Sequence, residues 1–332
     1  MNDLVRSIEY PGYPEGPGQL RDSSVIVVGV GGLGTEVARL LAQAGVGRLV
    51  LCDPDVVEAS NLSRGALYGP EHVGMPKVAA AGQALHALAP QTVVDARQDD
   101  FRYGVGLGEL RTAGLVVSCL DSVADRIVLS SRCMFSGNPR GMLDAGLHPW
   151  GGEVRHYTPA GPCYACGCRP ADRSLPAWHV TCRLPEEMGA SGPVTTLVAS
   201  WQAVCAVRLL SEEPVPDSIF RIEAPTGQSR LVLHPRDPDC LCHQTIPPRD
   251  ITMTPLTHRS RVAELLALAG DGEHVLSWNP VDRGDPLSPL TLRAATPEAQ
   301  LQDLGIPPAE ILPVVRVRPV RHVRYLALQE VP

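Results

Sequence analysis

Four glycines fall within six residues in "GVGGLG" (29–34), and this is the densest chemical signal in the chain. Gly29 and Gly31 suit a tight turn and close backbone approach to a phosphate group, and Gly34 suits close packing of a helix on a strand; Gly32 lies between them. Asp53 ends the apolar run "RLVLCD", where a carboxylate accepts hydrogen bonds from ribose hydroxyls, and Asp55 follows two residues on. Asn61 and Arg64 of "NLSR" and Lys77 of "GMPKV" bring an amide and two cations toward the same end. Cations beside a helix N-terminus neutralise the charge that develops during attack at phosphorus. Asp121, in "SCLDSVADR", stands where a carboxylate can hold Mg2+ at the edge of a sheet. There is no GxxxxGK[ST], so the chain is not a P-loop enzyme. The glycine loop and Asp53 alone fit an NAD-dependent oxidoreductase as well as an ATP-binding protein, and the cations favour ATP.

The chain has ten cysteines, and five of them sit in two clusters: Cys163, Cys166 and Cys168 in "CYACGC", and Cys240 and Cys242 in "CLCH". Two such knuckles form a closed tetrahedral site for structural Zn2+. Cys163, Cys166, Cys240 and Cys242 are the expected ligands. His243 is the alternative for the fourth, because Cys240 with His243 restores a two-residue gap. Cys182, in "HVTCRLPEE", lies beside Arg183, and an adjacent cation favours the nucleophilic thiolate. Cys52, Cys119, Cys133 and Cys205 sit in apolar contexts and read as buried thiols. His148, His156 and His179 form no catalytic arrangement.

The elements that must position these groups alternate. "SVIVV", the glycine loop, "TEVARLLAQAG" and "RLVLCD" read as strand, turn, helix and strand, and the alternation continues to about residue 136. The expected fold is α/β, a Rossmann-like, mostly parallel sheet with helices on both faces. From about Arg140 strand-like runs and one helical pattern at 194–210 predict a mixed-strand extension carrying the zinc knuckle. The helical pattern reads as core or dimer contact. "PRDPDCLCHQTIPPRDITMTP" looks like a boundary. The expected domains are 1–245, a linker at 246–255, and a small α+β module at 256–332 in which "LTLRAA" is a strand and "PEAQLQDLG" a short helix. A net charge of -7 over 332 residues, with no Lys/Arg run, argues against nucleic acid and anionic membranes as partners. No signal peptide or long uninterrupted apolar run is seen, which predicts a cytoplasmic protein.

Taken in order and spacing, "GVGGLG", "LCDPDVVEASNLSR", "GMPKV", "CLDSVADR", "GPCYAC", "TCR" and "DPDCLCH" resemble the ubiquitin-activating superfamily, with its bacterial ThiF/MoeB/HesA-type adenylyltransferases. The resemblance covers about residues 6–243. It implies binding of ATP and Mg2+ and adenylation of the C-terminal glycine of a small ubiquitin-like, β-grasp protein. By position, Asp53 would hold the ribose, Asn61, Arg64 and Lys77 the phosphates, and Asp121 the metal. It also implies a homodimer in which Arg6, of "LVRSIEYPG", reaches the neighbour's site, although Ser stands where the family has Gln. The first expectation is thioester formation on Cys182 and transfer to a conjugating enzyme, with the C-terminal module as a ubiquitin-fold-like docking unit. The alternative is activation of a sulfur-carrier protein for thiocarboxylate formation, and a third branch is adenylation of a short peptide's terminal residue. A catalytically silent half of a heterodimeric activating enzyme is disfavoured by Arg64, Lys77 and Asp121.

Overall fold

The computed structural model describes residues 20–168, 191–216, 218–223, 225–278, 292–316 and 322–330. Arg6 and Cys182 lie outside the described residues. The chain divides into two compact units, Met1–Asp99 with Ala113–His243, and Asp100–Thr112 with Gln244–Pro332.

The first unit is built on an eight-stranded sheet of order β3-β2-β1-β4-β5-β6-β7-β8. Its strands are β1 (Ser24–Val28), β2 (Arg48–Cys52), β3 (Val93–Arg97), β4 (Leu115–Ser118), β5 (Met142–His148), β6 (Gly151–Tyr157), β7 (Ser218–Glu223) and β8 (Gln228–Leu233). The first five in this spatial order are parallel, and β6, β7 and β8 extend the sheet antiparallel. This is the expected Rossmann-like fold with its mixed extension. β1, β2 and β4 are short apolar runs buried on both faces, as the central strands of a parallel sheet must be. Val25 and Val27 join one core with Leu41 of α1 (Gly32–Ala44) and Leu85 of α2 (Lys77–Leu88). Ile26 and Val28 alternate to the opposite face.

Two short helices interrupt the crossover from β3 to β4: α3 (Phe101–Gly104) and α4 (Leu107–Thr112). They belong to the second unit, and the sequence reading missed them. α5 (Val123–Ser136) follows β4, and α6 (Gly192–Leu210) packs on α1 and on β5 and β6. α6 is long and apolar enough to cross a membrane by length and composition. Val198, Ala199, Ala206 and Leu210 instead fill the same core as Leu41, so α6 takes the core role, one of the two expected for it.

The second unit holds a four-stranded sheet of order β10-β11-β12-β9, formed by β9 (Ile251–Thr257), β10 (Glu273–Val275), β11 (Ile311–Arg316) and β12 (His322–Gln329). β9 runs parallel to β12, and the other pairs are antiparallel. α7 (Val262–Leu266) supplies Val262 and Leu265 to a core with Val275, Leu312, Val314 and Leu326. The linker expected at 246–255 gives way to a strand in its second half. Ile251 to Pro255 are the first residues of β9, and the buried Thr254 donates its hydroxyl to the Ala327 carbonyl at 3.0 Å. The Pro- and Asp-rich composition disguised the strand. Register slips between Ala327 and Gln329, beside the residue that has no N–H to give, Pro255.

The strand expected in "LTLRAA" is also absent among the described residues, since Leu292–Ala294 is a 3-10 turn, and "PEAQLQDLG" gives a second one at Leu301–Leu304. Among the described residues, the first strand and the helix of the ubiquitin-fold expectation are replaced by these two 3-10 turns, and its last strand is β11. α4 is held within this unit by the buried Glu310, whose carboxylate accepts the Leu107 N–H at 3.1 Å, and by the Gly108 N–H donating to the Ala309 carbonyl at 2.9 Å.

Candidate nucleotide site and cysteine cluster

β1 lies where the connections diverge, toward β2 and β3 on one side and toward β4 and β5 on the other. In open α/β sheets, ligands bind outside the carboxyl ends of the strands at this switch point. The glycine loop fills it. Gly29 has φ +87°, and a Cβ there would lie 2.7 Å from the Cys119 carbonyl oxygen. At Gly34 a Cβ would stand 1.9 Å from the Gly29 carbonyl oxygen, because α1 seats directly on the loop. Neither obstacle is a flexible side chain. Gly34→Ala is expected to destabilise the first unit by at least about 3 kcal/mol and to lower Tm by roughly 5 °C or more. An unchanged melting curve would show that the loop is less tightly built. Gly31 caps α1 in an extended conformation without any side-chain cap bond. A helix N-terminus of this kind offers its first N–H groups to an anion.

Asp53, at the end of β2, is 5% exposed. Its Oδ2 accepts the Val30 N–H at 2.6 Å and its Oδ1 the Asp55 N–H at 2.9 Å. Lys77 Nζ sits 2.7 Å from Asp55 and 3.9 Å from Asp53. Burial raises the Asp53 carboxyl, and the attraction of Lys77 and the two N–H donors only partly offsets it. A raised folded pKa means that the contribution of this group is complete below its unfolded range and is lost as pH rises through the folded one. Relative to Asp53→Asn, the wild-type Tm is therefore expected to fall as pH rises above the ordinary carboxylate range. Parallel pH profiles would refute this. Each Asp53 oxygen keeps a second lone pair for a ribose hydroxyl.

Two anchors of the loop escaped the sequence reading. The Tyr68 hydroxyl donates to the Val30 carbonyl, so Tyr68 and Asp53 grip both polar groups of one residue. Burial, with Asp53 and Asp55 nearby, pushes the phenol up and keeps it a donor. Thr35 Oγ1 donates to the Gly31 carbonyl at 2.8 Å and accepts the Ala66 N–H at 3.1 Å, tying the loop to the segment that carries Arg64.

Arg64 closes a 3-10 turn, Ala59–Ser63, and donates to the Ser60 carbonyl at 3.3 Å. A Cβ on Gly32 would meet the Arg64 stem and Thr195 of α6, each at 3.2 Å, so the absent side chain makes room for both. Asn61 points inward on its own turn, where its Oδ1 accepts the Glu58 N–H at 3.0 Å. Asp121 is exposed just beyond β4. Gly29, Gly31, Gly32, Gly34, Asp53, Asp55, Arg64 and Lys77 therefore share one end of the sheet, and the Asp121 turn borders it through Cys119. Asn61 lies on the same segment as Arg64, with its Oδ1 engaged by Glu58 and its Nδ2 3.4 Å from Ser60 Oγ.

The cysteine knuckles meet. Cys163 Sγ is 3.7 Å from Cys166 Sγ and 3.6 Å from Cys240 Sγ, and Cys166 Sγ is 3.1 Å from His243 Nε2. All four donor atoms lie within 4.8 Å of one another. A tetrahedral Zn2+ sets its sulfur ligands about 3.8 Å apart and sulfur and nitrogen about 3.5 Å apart, which these spacings approach. The fourth place expected for Cys242 goes to His243. Cys163 and Cys240 stand just before two 3-10 turns, Tyr164–Gly167 and Leu241–His243, and a turn of that kind brings the chain back beside its start within three residues. Cys163 thus aligns with Cys166 and Cys240 with His243, while Cys242 hydrogen-bonds the Cys163 thiol. That bond and burial push Cys163 up, and burial lowers His243, which keeps the imidazole neutral as a ligand requires.

A family model described as the ThiF family matches residues 8–242. The molybdopterin-synthase adenylyltransferase of Escherichia coli is 34% identical, over 73% of this chain and 94% of its own length. The sulfur carrier protein ThiS adenylyltransferase of Escherichia coli is also 34% identical, over 65% of this chain and 80% of its own. A SAMP-activating enzyme E1 of Haloferax volcanii is 32% identical over 68% and 82%. Among solved structures, E. coli MccB with ATP superposes with a TM-score of 0.59, covering 73% of this chain and 74% of its own, at 19% identity. That likeness is one of fold. The sequence matches run from ahead of β1 through the glycine loop and the cation turn to the second cysteine knuckle, and on them the chain belongs to the ThiF family, as an adenylyltransferase.

Proposed function

We propose that the enzyme uses ATP and Mg2+ to adenylate the C-terminal carboxylate of a small sulfur-carrier protein of the β-grasp kind. The observation that carries this reading is the seating of Arg64 over Gly32 at an uncapped helix N-terminus, with Lys77 alongside the buried Asp53. The names of the relatives support the sulfur-carrier branch over thioester transfer to a conjugating enzyme.

The glycine loop and the first turn of α1 bind phosphate oxygens through backbone N–H groups, and the free lone pairs of Asp53 accept from ribose. A carrier carboxylate oxygen attacks the α-phosphorus, the bond to the bridging oxygen breaks, and pyrophosphate leaves with that electron pair. Arg64 and Lys77 offset the negative charge that builds on the phosphates. Asp121 would hold Mg2+, which when bound neutralises phosphate charge. Its exposed carboxylate suits an ion that keeps several waters. Cys163, Cys166, Cys240 and His243 would hold Zn2+ as a closed structural site.

The test is isotope exchange between pyrophosphate and ATP. Exchange should require both Mg2+ and a glycine-terminated carrier, and deleting the terminal glycine should abolish it. Exchange driven equally well by a free short peptide would move the substrate class to peptides, and no exchange with any carboxylate would overturn the reading.

A further inference from the structure

β4 ends at Ser118, α5 begins at Val123, and the turn between them is held at almost every residue except Asp121. The Cys119 N–H donates to the Val28 carbonyl at 2.8 Å. Ser122 caps α5 by accepting the Asp125 N–H at 3.3 Å. Arg126, from the first turn of α5, folds back so that its Nε donates to the Leu120 carbonyl at 2.8 Å, and its Nη2 donates to the same oxygen. Its Nη1 lies 3.3 Å from Asp144 Oδ2. Asp144, fully buried on β5, also accepts the Ser118 hydroxyl at 2.7 Å and lies 3.8 Å from Arg155. Gly146 makes room, since a Cβ there would lie 3.0 Å from Arg126 Nη1.

A buried ion pair of this kind is a weak source of stability, because desolvation consumes most of the Coulombic gain. Its structural consequence is specific: both ends of the turn and the Leu120 carbonyl are fixed, and the carboxylate of Asp121 is left facing solvent. We propose that Arg126 is a positioning residue for adenylation, which, held by Asp144, sets the direction in which Asp121 presents its carboxylate to Mg2+. This rests on the reading of Asp121 as the Mg2+-binding residue.

The experiment measures Mn2+ binding by electron paramagnetic resonance, with the full chain and adenosine 5′-(α,β-methylene)triphosphate, beside the Mg2+ dependence of pyrophosphate release. Arg126→Lys keeps a cation opposite Asp144 but cannot grip the Leu120 carbonyl with two N–H groups. Gly146→Ala displaces only the tip of the Arg126 side chain and should leave folding intact. Both variants are expected to weaken Mn2+ binding, about tenfold for Arg126→Lys and several-fold for Gly146→Ala. The Mg2+ concentration for half-maximal release should rise in parallel, with metal-free nucleotide affinity within twofold of wild type. Wild-type Mn2+ affinity in Gly146→Ala and in Arg126→Lys overturns the proposal. Asp121→Ala separates the two levels: if it binds Mn2+ normally, the assignment of Asp121 is what fails. If it loses the metal while Arg126→Lys does not, the positioning role fails alone.

Discussion

Arg64→Ala is expected to lower carrier-dependent pyrophosphate release by about 100-fold to 1000-fold, the range for removing one preorganised donor from developing charge. Arg64 does little else among the described residues. Its stem fills the space a Gly32 side chain would take, and among the described residues its guanidinium makes one hydrogen bond, 3.3 Å to the Ser60 carbonyl. A cation with most of its donors uncommitted among the described residues, beside a helix N-terminus, is arranged for an anion that arrives. Lys77 differs because it already pairs with Asp55 at 2.7 Å and faces Asp53 at 3.9 Å. Lys77→Ala should therefore cost both catalysis and loop stability, since the buried Asp53 charge loses its nearest cation. For Arg64→Ala the loss should fall mainly on kcat, with Tm within about 1 °C of wild type, as for a half-exposed side chain outside the core. Rates within tenfold of wild type would remove Arg64 from the site. A large fall in Tm would instead assign it a structural role.

What could be read in the sequence was what the backbone demands locally. Gly29 and Gly34 announce themselves because no other residue survives a carbonyl oxygen 2.7 Å or 1.9 Å from its Cβ. Asp53 and Asp121 were placed by the strands that precede them. Tyr68 and Arg126 were invisible for the opposite reason. A tyrosine in a loop carries no sign that its hydroxyl will reach a carbonyl 38 residues away, and the partner of Arg126, Asp144, sits 18 residues further on in a different strand. α3 and α4 escaped because four- and six-residue helices show no periodicity. β9 escaped because its alternation is broken by Pro255 and preceded by prolines and aspartates. The orientation of Asn61 is hidden for a related reason: "NLSR" shows which residues arrive together, and only the 3-10 turn reveals that the amide oxygen accepts from Glu58.

The cysteine cluster yields the other large effect. Chain spacing could not choose between Cys242 and His243, and turn geometry does. His243→Ala is expected to weaken Zn2+ retention and to lower Tm on the order of 10 °C, because binding energy at a closed structural site is folding energy. Cys242→Ser should keep one equivalent of zinc after dialysis and melt within about 2 °C of wild type. Cys163→Ser should be worst, since its sulfur sits at the centre, 3.7 Å and 3.6 Å from two other thiols. Metal analysis and melting curves on the three variants decide the matter. If Cys242→Ser loses zinc and His243→Ala retains it, the fourth ligand is the thiol and the Leu241–His243 turn must rewind on metal binding. If a strong chelator strips metal from the wild type with no change in Tm, the cluster does not stabilise the fold. The buried Nδ1 of His243 has no hydrogen-bond partner among the described residues. Histidine ligands are ordinarily held by such a partner. His243 should accordingly be the weakest of the four ligands and the first released as pH falls, ahead of any loss from Cys163 or Cys240.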